Sequence, residues 1–272
     1  MRPVPLAEVD DPGRFGAKAS QLGASLRAGL PVPAGWALSH DLVAAVARAE
    51  PEAVAEVRGL GARADGALAV RSSGVGEDGV NESFAGQHAS LLNVAGVDAL
   101  LAAVLAVHAS GDTASARAYR RRMGVAGEPR VGVVVQRLVD ATCAGVMFTV
   151  DPLSGADVRV VEASWGLGEA VVQGLVTPDR LRFTRDGRVL EHAAGHKDLA
   201  MVRDAGGGVR EVEVEAHRVA ARCLDGAMVD ALAALATRCE QVFGEGRDVE
   251  WAFAGGALHL LQVRAVTRRG GG

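Results

Sequence analysis

Three stretches of this 272-residue chain put polar side chains where a simple core would be apolar. The first is Gly16-Ala17-Lys18, at the expected start of a helix. A helix N-terminus carries unpaired N–H groups and partial positive charge. A lysine beside it adds a full charge, and the combination suits a phosphate. On spacing alone, a surface lysine near a turn is the stronger reading of this stretch. The second is Val70-Arg71-Ser72-Ser73, followed by Glu82-Ser83-Phe84-Ala85-Gly86-Gln87. An arginine leaving a buried strand is held in place, and its planar fork suits phosphate oxygens. A loop of small residues lets backbone N–H groups approach a polyphosphate closely. A solvated loop with an incidental arginine fits this stretch equally well. Neither GxxxxGK[ST] nor a GxGxxG after a strand occurs.

The third stretch is a closing pair, Asp248-Val249-Glu250-Trp251 and Leu261-Gln262-Val263-Arg264. Residues two apart on a strand share a face, so Asp248 pairs with Glu250 and Gln262 with Arg264. If the register matches, two carboxylates, an amide and a guanidinium share one sheet face. Oxygen donors of that kind suit Mg²⁺ carrying substrate phosphates. The alternative is a cross-strand ion pair on a solvated face. The functional reading is favoured, because Val249, Trp251, Leu261 and Val263 would supply the core on the other side.

Those residues need elements to position them. Gly16 to Gly29 reads as a helix, ended by Leu30-Pro31-Val32-Pro33. Ala44 to Arg58 reads as a helix interrupted by Pro51. Ala67 to Val70 is a short buried strand, His88 to Val94 another, and 97–109 and 113–123 are helices. Arg130 to Val139 is a nearly continuous β-branched run, expected for a strand covered on both faces. Gly145 to Val150 and Val158 to Glu162 are further strands, and Leu181 to Leu190 is a hairpin turning on Asp186-Gly187. Val229, Leu232, Leu235, Ala236, Cys239, Val242 and Phe243 recur at helical steps up to Gly244. The class is α+β, with helices and strands mixed along the chain.

Composition narrows the functions. Formal net charge is −4, with 29 basic and 33 acidic residues, so nothing in it favours nucleic acid or an anionic membrane. No apolar run is long enough to span a bilayer, and the first residues carry no apolar signal core. Cys143, Cys223 and Cys239 form no CxxC spacing and read as reduced core thiols of a cytoplasmic protein. Of the 29 basic residues only Lys18 and Lys197 are lysine.

The three stretches, in this order, resemble the ATP-grasp nucleotide-binding domain of the phosphoenolpyruvate synthase, pyruvate phosphate dikinase and rifampicin phosphotransferase family. The likeness extends from Gly16 to Leu22 and Gly29 to Trp36 through Ala69 to Ser73, Glu77-Asp78 and Ser83 to Gln87. It continues through Ala144 to Gly155, Trp165 to Glu169, Val172 to Gly174 and Pro178-Asp179 to the closing pair. The resemblance implies a two-lobed ATP-grasp fold, divided here as 1–130 and 131–272, clasping ATP and Mg²⁺. By position, Lys18 and Arg71 would hold phosphates, as would Arg264. Ser83, Phe84, Ala85, Gly86 and Gln87 would cover the terminal phosphates. Gln136, Arg137, Leu138 and Val139 would lie beside the adenine. Glu250 and Gln262 would hold the Mg²⁺–ATP, with Asp248 nearby, and Lys197 would face the cleft with His196 beside it.

The family passes phosphate to a histidine on a swivelling domain, and no histidine here stands in the Thr-Ser-His context. Ser39-His40 is the nearest imitation. Ala17 and Ala265 stand where the family customarily has glycine and proline, and the segment from Val43 to Gly66 is short for the family. The resemblance therefore implies an ATP-dependent phosphotransferase whose acceptor lies outside this chain, foremost a histidine domain on a partner protein. Three other readings stand beside it. They are a stand-alone kinase or carboxylate-activating ligase for a small molecule, a non-enzymatic ATP-binding module, and a piece of a longer enzyme.

Overall fold

The computed structural model describes residues 1–74, 90–112 and 130–266. The chain forms two compact units, and it passes between them more than once. Unit 1 comprises Met1–Ala24, Ala34–Leu138 and Ala205–Gly208; unit 2 comprises Ser25–Pro33, Val139–Asp204 and Val209–Gly272. The expected α+β class is observed.

Unit 1 contains β1 (Val4–Pro5), α1 (Pro12–Phe15), all but the last three residues of α2 (Ala17–Arg27), β2 (Gly35–Leu38), α3 (His40–Ala47), α4 (Pro51–Arg63), β3 (Leu68–Gly74), β4 (Ser90–Val94), α5 (Val97–Ser110) and β5 (Val131–Arg137). Its five strands run in the order β1-β2-β5-β3-β4, and every neighbouring pair is antiparallel. Strand β5, which a division after residue 130 assigns to the second lobe, is the centre of this sheet. Leu68, Val70, Val133 and Val135 point to one face, where they join Leu42, Val46, Val57, Leu60, Leu100 and Val104 from α3, α4 and α5 in the core. Pro51 does not interrupt a helix, as the sequence suggests; it opens α4, where a missing N–H is harmless. The break falls at Ala49, whose φ of 56° lies in the left-handed region.

Unit 2 contains β6 (Cys143–Phe148), β7 (Arg159–Trp165), α6 (Glu169–Val172), β8 (Asp179–Phe183), β9 (Val189–Ala193), β10 (Leu199–Arg203), β11 (Val209–Glu213), α7 (Ala216–Val219), α8 (Gly226–Phe243), β12 (Arg247–Ala254) and β13 (Ala257–Ala265). Six strands form a sheet in the order β13-β12-β6-β7-β8-β9, again antiparallel throughout. The separate hairpin β10–β11 is absent from the sequence reading, although Leu199 to Val202 and Val209 to Val212 flank a run of three glycines. Helix α8 buries Val229, Leu232, Leu235, Ala236 and Cys239, the face its spacing predicts. The segment Ser25–Pro33 belongs here because it bonds to unit 2. Leu260 N donates to Pro31 O at 2.9 Å, and Arg238 Nη2 donates to Gly29 O at 2.7 Å.

Candidate functional site

In unit 1 the first two polar stretches are locked together. Gly16 adopts φ 83° and lies so close to β3 that an added Cβ would stand 2.0 Å from Ser73 O. Ser73 Oγ accepts a hydrogen bond from Ala19 N at 3.0 Å, satisfying one of the open donors of the α2 N-terminus. The turn carrying Lys18 is therefore seated on the end of the strand carrying Arg71. Arg71 does not leave this strand, as the sequence suggests; it sits inside it and is 9% exposed. Arg71 and Ser73 share a face by strand parity, so Arg71 points to the side on which α2 begins. Val134 and Gln136 lie on that same face, opposite Arg71 and Ala69. Gln136 is buried at 2% exposure. Arg137 N and Leu138 N donate to Ala34 O and Ala67 O at 2.9 Å, closing the end of β5. Ser83 to Gln87 lie outside the described residues.

In unit 2 the closing pair has the register that places all four polar groups together. Asp248 stands opposite Arg264, and Glu250 opposite Gln262. Arg264 donates from Nε to Asp248 Oδ2 at 2.8 Å, and its Nη2 forms an ion pair with the same oxygen at 2.7 Å. Asp248 is 7% exposed, and its other oxygen, Oδ1, has no hydrogen-bond partner among the described residues. Burial pushes the Asp248 carboxyl above its ordinary range, against the opposing pull of Arg264 and with added repulsion from Glu250. On the other face Val249, Trp251 and Val263 are buried as expected, but Leu261 is not their partner. A bulge between Glu250 and Trp251 makes Leu261 the extra residue and brings Leu260, 0% exposed, opposite Trp251.

The polar face continues across the sheet. Glu250 stands opposite Val146, Val146 opposite Glu162, and Glu162 opposite Arg180. Directly opposed residues of antiparallel strands share a face. Glu162 is half-buried and was not among the sequence candidates. Its signal was the strand Val158 to Glu162 itself, whose parity could not be joined to Glu250 without knowing strand order.

Lys197 departs from expectation. Its side chain is 0% exposed, and Nζ donates to Asp179 Oδ1. Asp179 also accepts from Gly195 N and Cys223 N, at 2.8 and 2.7 Å. Burial alone would raise the Asp179 carboxyl; those hydrogen bonds, led by Lys197, outweigh it and hold the group below its ordinary range. Lys197 thus has its charge taken up inside unit 2. His40 is also accounted for locally: Ser39 caps α3, and His40 Nε2 accepts from Arg130 Nη2 at 2.8 Å. That acceptor role fixes the proton of a neutral ring on Nδ1, which lies 3.2 Å from Asp41.

The family of pyruvate phosphate dikinase AMP/ATP-binding domains matches residues 38–271. The chain belongs to that family. The AMP/ATP-binding domain is similar to a probable phosphoenolpyruvate synthase of Methanothermobacter thermautotrophicus, at 40% identity over 75% of this chain and 30% of the relative. It is similar at 34% identity to the prodigiosin synthesizing transferase PigC of Serratia marcescens, over 98% of this chain and 34% of that one. A rifampicin phosphotransferase of Streptomyces sviceus is 40% identical over 74% of this chain and 23% of its own length. The chain thus spans between 23% and 34% of the length of these relatives.

For an AMP/ATP-binding domain the donor chemistry is apt. A hard cation such as Mg²⁺ keeps several waters and takes one or two protein carboxylates plus substrate phosphates. Glu250 with Gln262 supplies such a set, and the spare buried oxygen of Asp248 fits beside it. Among the described residues no group of three His, Cys, Asp or Glu side chains could hold a metal alone. No helix among them is long and apolar enough to cross a membrane.

Proposed function

We propose that this chain is the ATP-handling part of a dikinase-type phosphotransferase of ATP-grasp architecture, delivering a phosphoryl group to an acceptor outside the chain. The observation that carries the reading is the register of β12 with β13, which gathers Asp248, Glu250, Gln262 and Arg264 on one face. Glu250 and Gln262 would hold Mg²⁺, which when bound neutralises phosphate charge. Arg264, fixed by Asp248, is a preset donor to a phosphate oxygen; Asp248 serves chiefly as its positioning residue. In unit 1, Lys18 and Arg71 would bind phosphate oxygens, and Gln136 to Leu138, with Val139 following, would flank the base. Such fixed charges suit phosphoryl transfer, where positioning and electrostatic stabilisation do most of the catalysis. Lys197 has no direct part; it stabilises unit 2.

The relatives also bear on the acceptor. Their names point to different ones, yet they share this segment. That supports an ATP-handling segment common to several acceptors, with the acceptor bound elsewhere, and a histidine domain of a partner protein is our proposed carrier. Three buried free cysteines suit a cytoplasmic setting.

The test is incubation with Mg²⁺ and ATP, with and without a histidine-bearing partner. AMP together with acid-labile protein-bound phosphate, appearing only with the partner, is the expected result. ADP and a phosphorylated small molecule from the chain alone would replace the partner reading. Glu250→Ala turning over like wild type would remove the metal assignment.

A further inference from the structure

We propose that Glu162 accepts hydrogen bonds from the ribose hydroxyls of the bound nucleotide; the inference rests on the ATP reading above. Glu162 lies on β7 on the face that carries Glu250, two strands away, with only Val146 between them. Strands are spaced about 4.8 Å apart, so the two carboxylate-bearing positions are separated by about 10 Å. The triphosphate-to-ribose span of a nucleotide is of that order. A nucleotide whose phosphates are held at Glu250, Gln262 and Arg264 can therefore present its sugar at Glu162, passing over the half-exposed Val146.

Three observations favour a ligand over a structural partner. Among the described residues, Glu162 makes no ion pair or side-chain hydrogen bond, although Arg180 stands directly opposite on β8. The next arginine on this face of β8, Arg182, is engaged elsewhere, 3.6 Å from Asp151 and 3.8 Å from Glu191. Glu162 is also half-buried on an interior strand of the sheet rather than on an edge. A partly desolvated carboxylate offers two acceptor oxygens, which suits the two neighbouring hydroxyls of a ribose.

The experiment measures equilibrium binding of ATP and of 2′,3′-dideoxyATP, each with Mg²⁺, to the wild-type chain, Glu162→Gln and Glu162→Ala. Wild type is expected to favour ATP by on the order of tenfold or more, as for hydrogen bonds to a charged group. Glu162→Ala should bring the two ligands to within about twofold by weakening ATP alone, since a hydrogen bond to a charged acceptor is what is lost. Glu162→Gln keeps the side chain's shape and should fall between. A preference that survives in both variants, or is absent in wild type, overturns the proposal while leaving the ATP reading intact. No binding of either nucleotide by wild type overturns the ATP reading itself.

Discussion

Lys197 Nζ is fully enclosed and meets Asp179, whereas Lys18 lies half-buried in the first turn of α2. The same substitution should therefore act differently at the two lysines. At Lys197 a guanidinium must enter a filled site, and overpacking of this kind costs about 1–3 kcal/mol. Lys197→Met leaves the Asp179 charge buried without its partner and should cost about 3–5 kcal/mol. Denaturant unfolding reads both. Lys18→Arg should leave the unfolding midpoint unchanged and weaken ATP binding. Asp179 adds a pH dependence. Its folded-state pKa is lowered, so its contribution to stability is present above the unfolded carboxyl value of about 3.9 and is lost as pH falls through the folded value. Between pH 6 and 3 wild type should lose more stability than Asp179→Asn, measured by urea midpoints. Sequence alone marked Lys197 as exceptional in an arginine-rich chain but pointed to a cleft. Its partner stands 18 residues away, in a Pro-Asp pair that carries no sign of burial.

Between elements, the joint of α2 with β3 is the most exacting contact of unit 1. Gly16→Ala meets both a left-handed φ and the Ser73 carbonyl, and neither can be relieved by a side-chain rotation. We expect a loss of at least about 1–3 kcal/mol, the range for forcing a residue into a disfavoured backbone region. ATP binding should fall with it, because the turn bearing Lys18 is displaced. A chemical melt of the variant beside a nucleotide titration separates the two effects. Ser73→Ala, which removes only the bond to Ala19 N, should cost about 1 kcal/mol. The closing hairpin was legible because period-two alternation runs through both strands and Gly255-Gly256 sits between them. Their φ values of 57° and 79° are those a two-residue hairpin requires. The bulge at Leu261 was not legible, since alternation alone assumes an unbroken register. The seating of Gly16 on Ser73 was hidden for another reason: 57 residues of chain separate them, and neither motif encodes its partner.

At the scale of the molecule, each unit has a sheet with one face under helices and a second face bearing the candidate polar residues. That recurrence was legible as class but not as division, because both units are assembled from three chain segments and no linker marks their limits. A ligand that binds only the folded chain stabilises it by mass action, about 2.7 kcal/mol at a hundredfold excess over Kd. ATP with Mg²⁺ should therefore raise the melting midpoint, and Glu250→Ala should abolish the part that depends on Mg²⁺, as thermal melts with and without chelator would show. Asp179 has one more consequence, in time rather than in energy. Its three contacts close spans of 16, 18 and 44 residues, so each ties together parts of the chain that no single local turn would join. Interactions absent from the folding transition state govern how slowly the native state opens. Asp179→Asn should accordingly steepen escape from the native state in stopped-flow unfolding while leaving the refolding limb unmoved, making this carboxylate a clasp on lifetime.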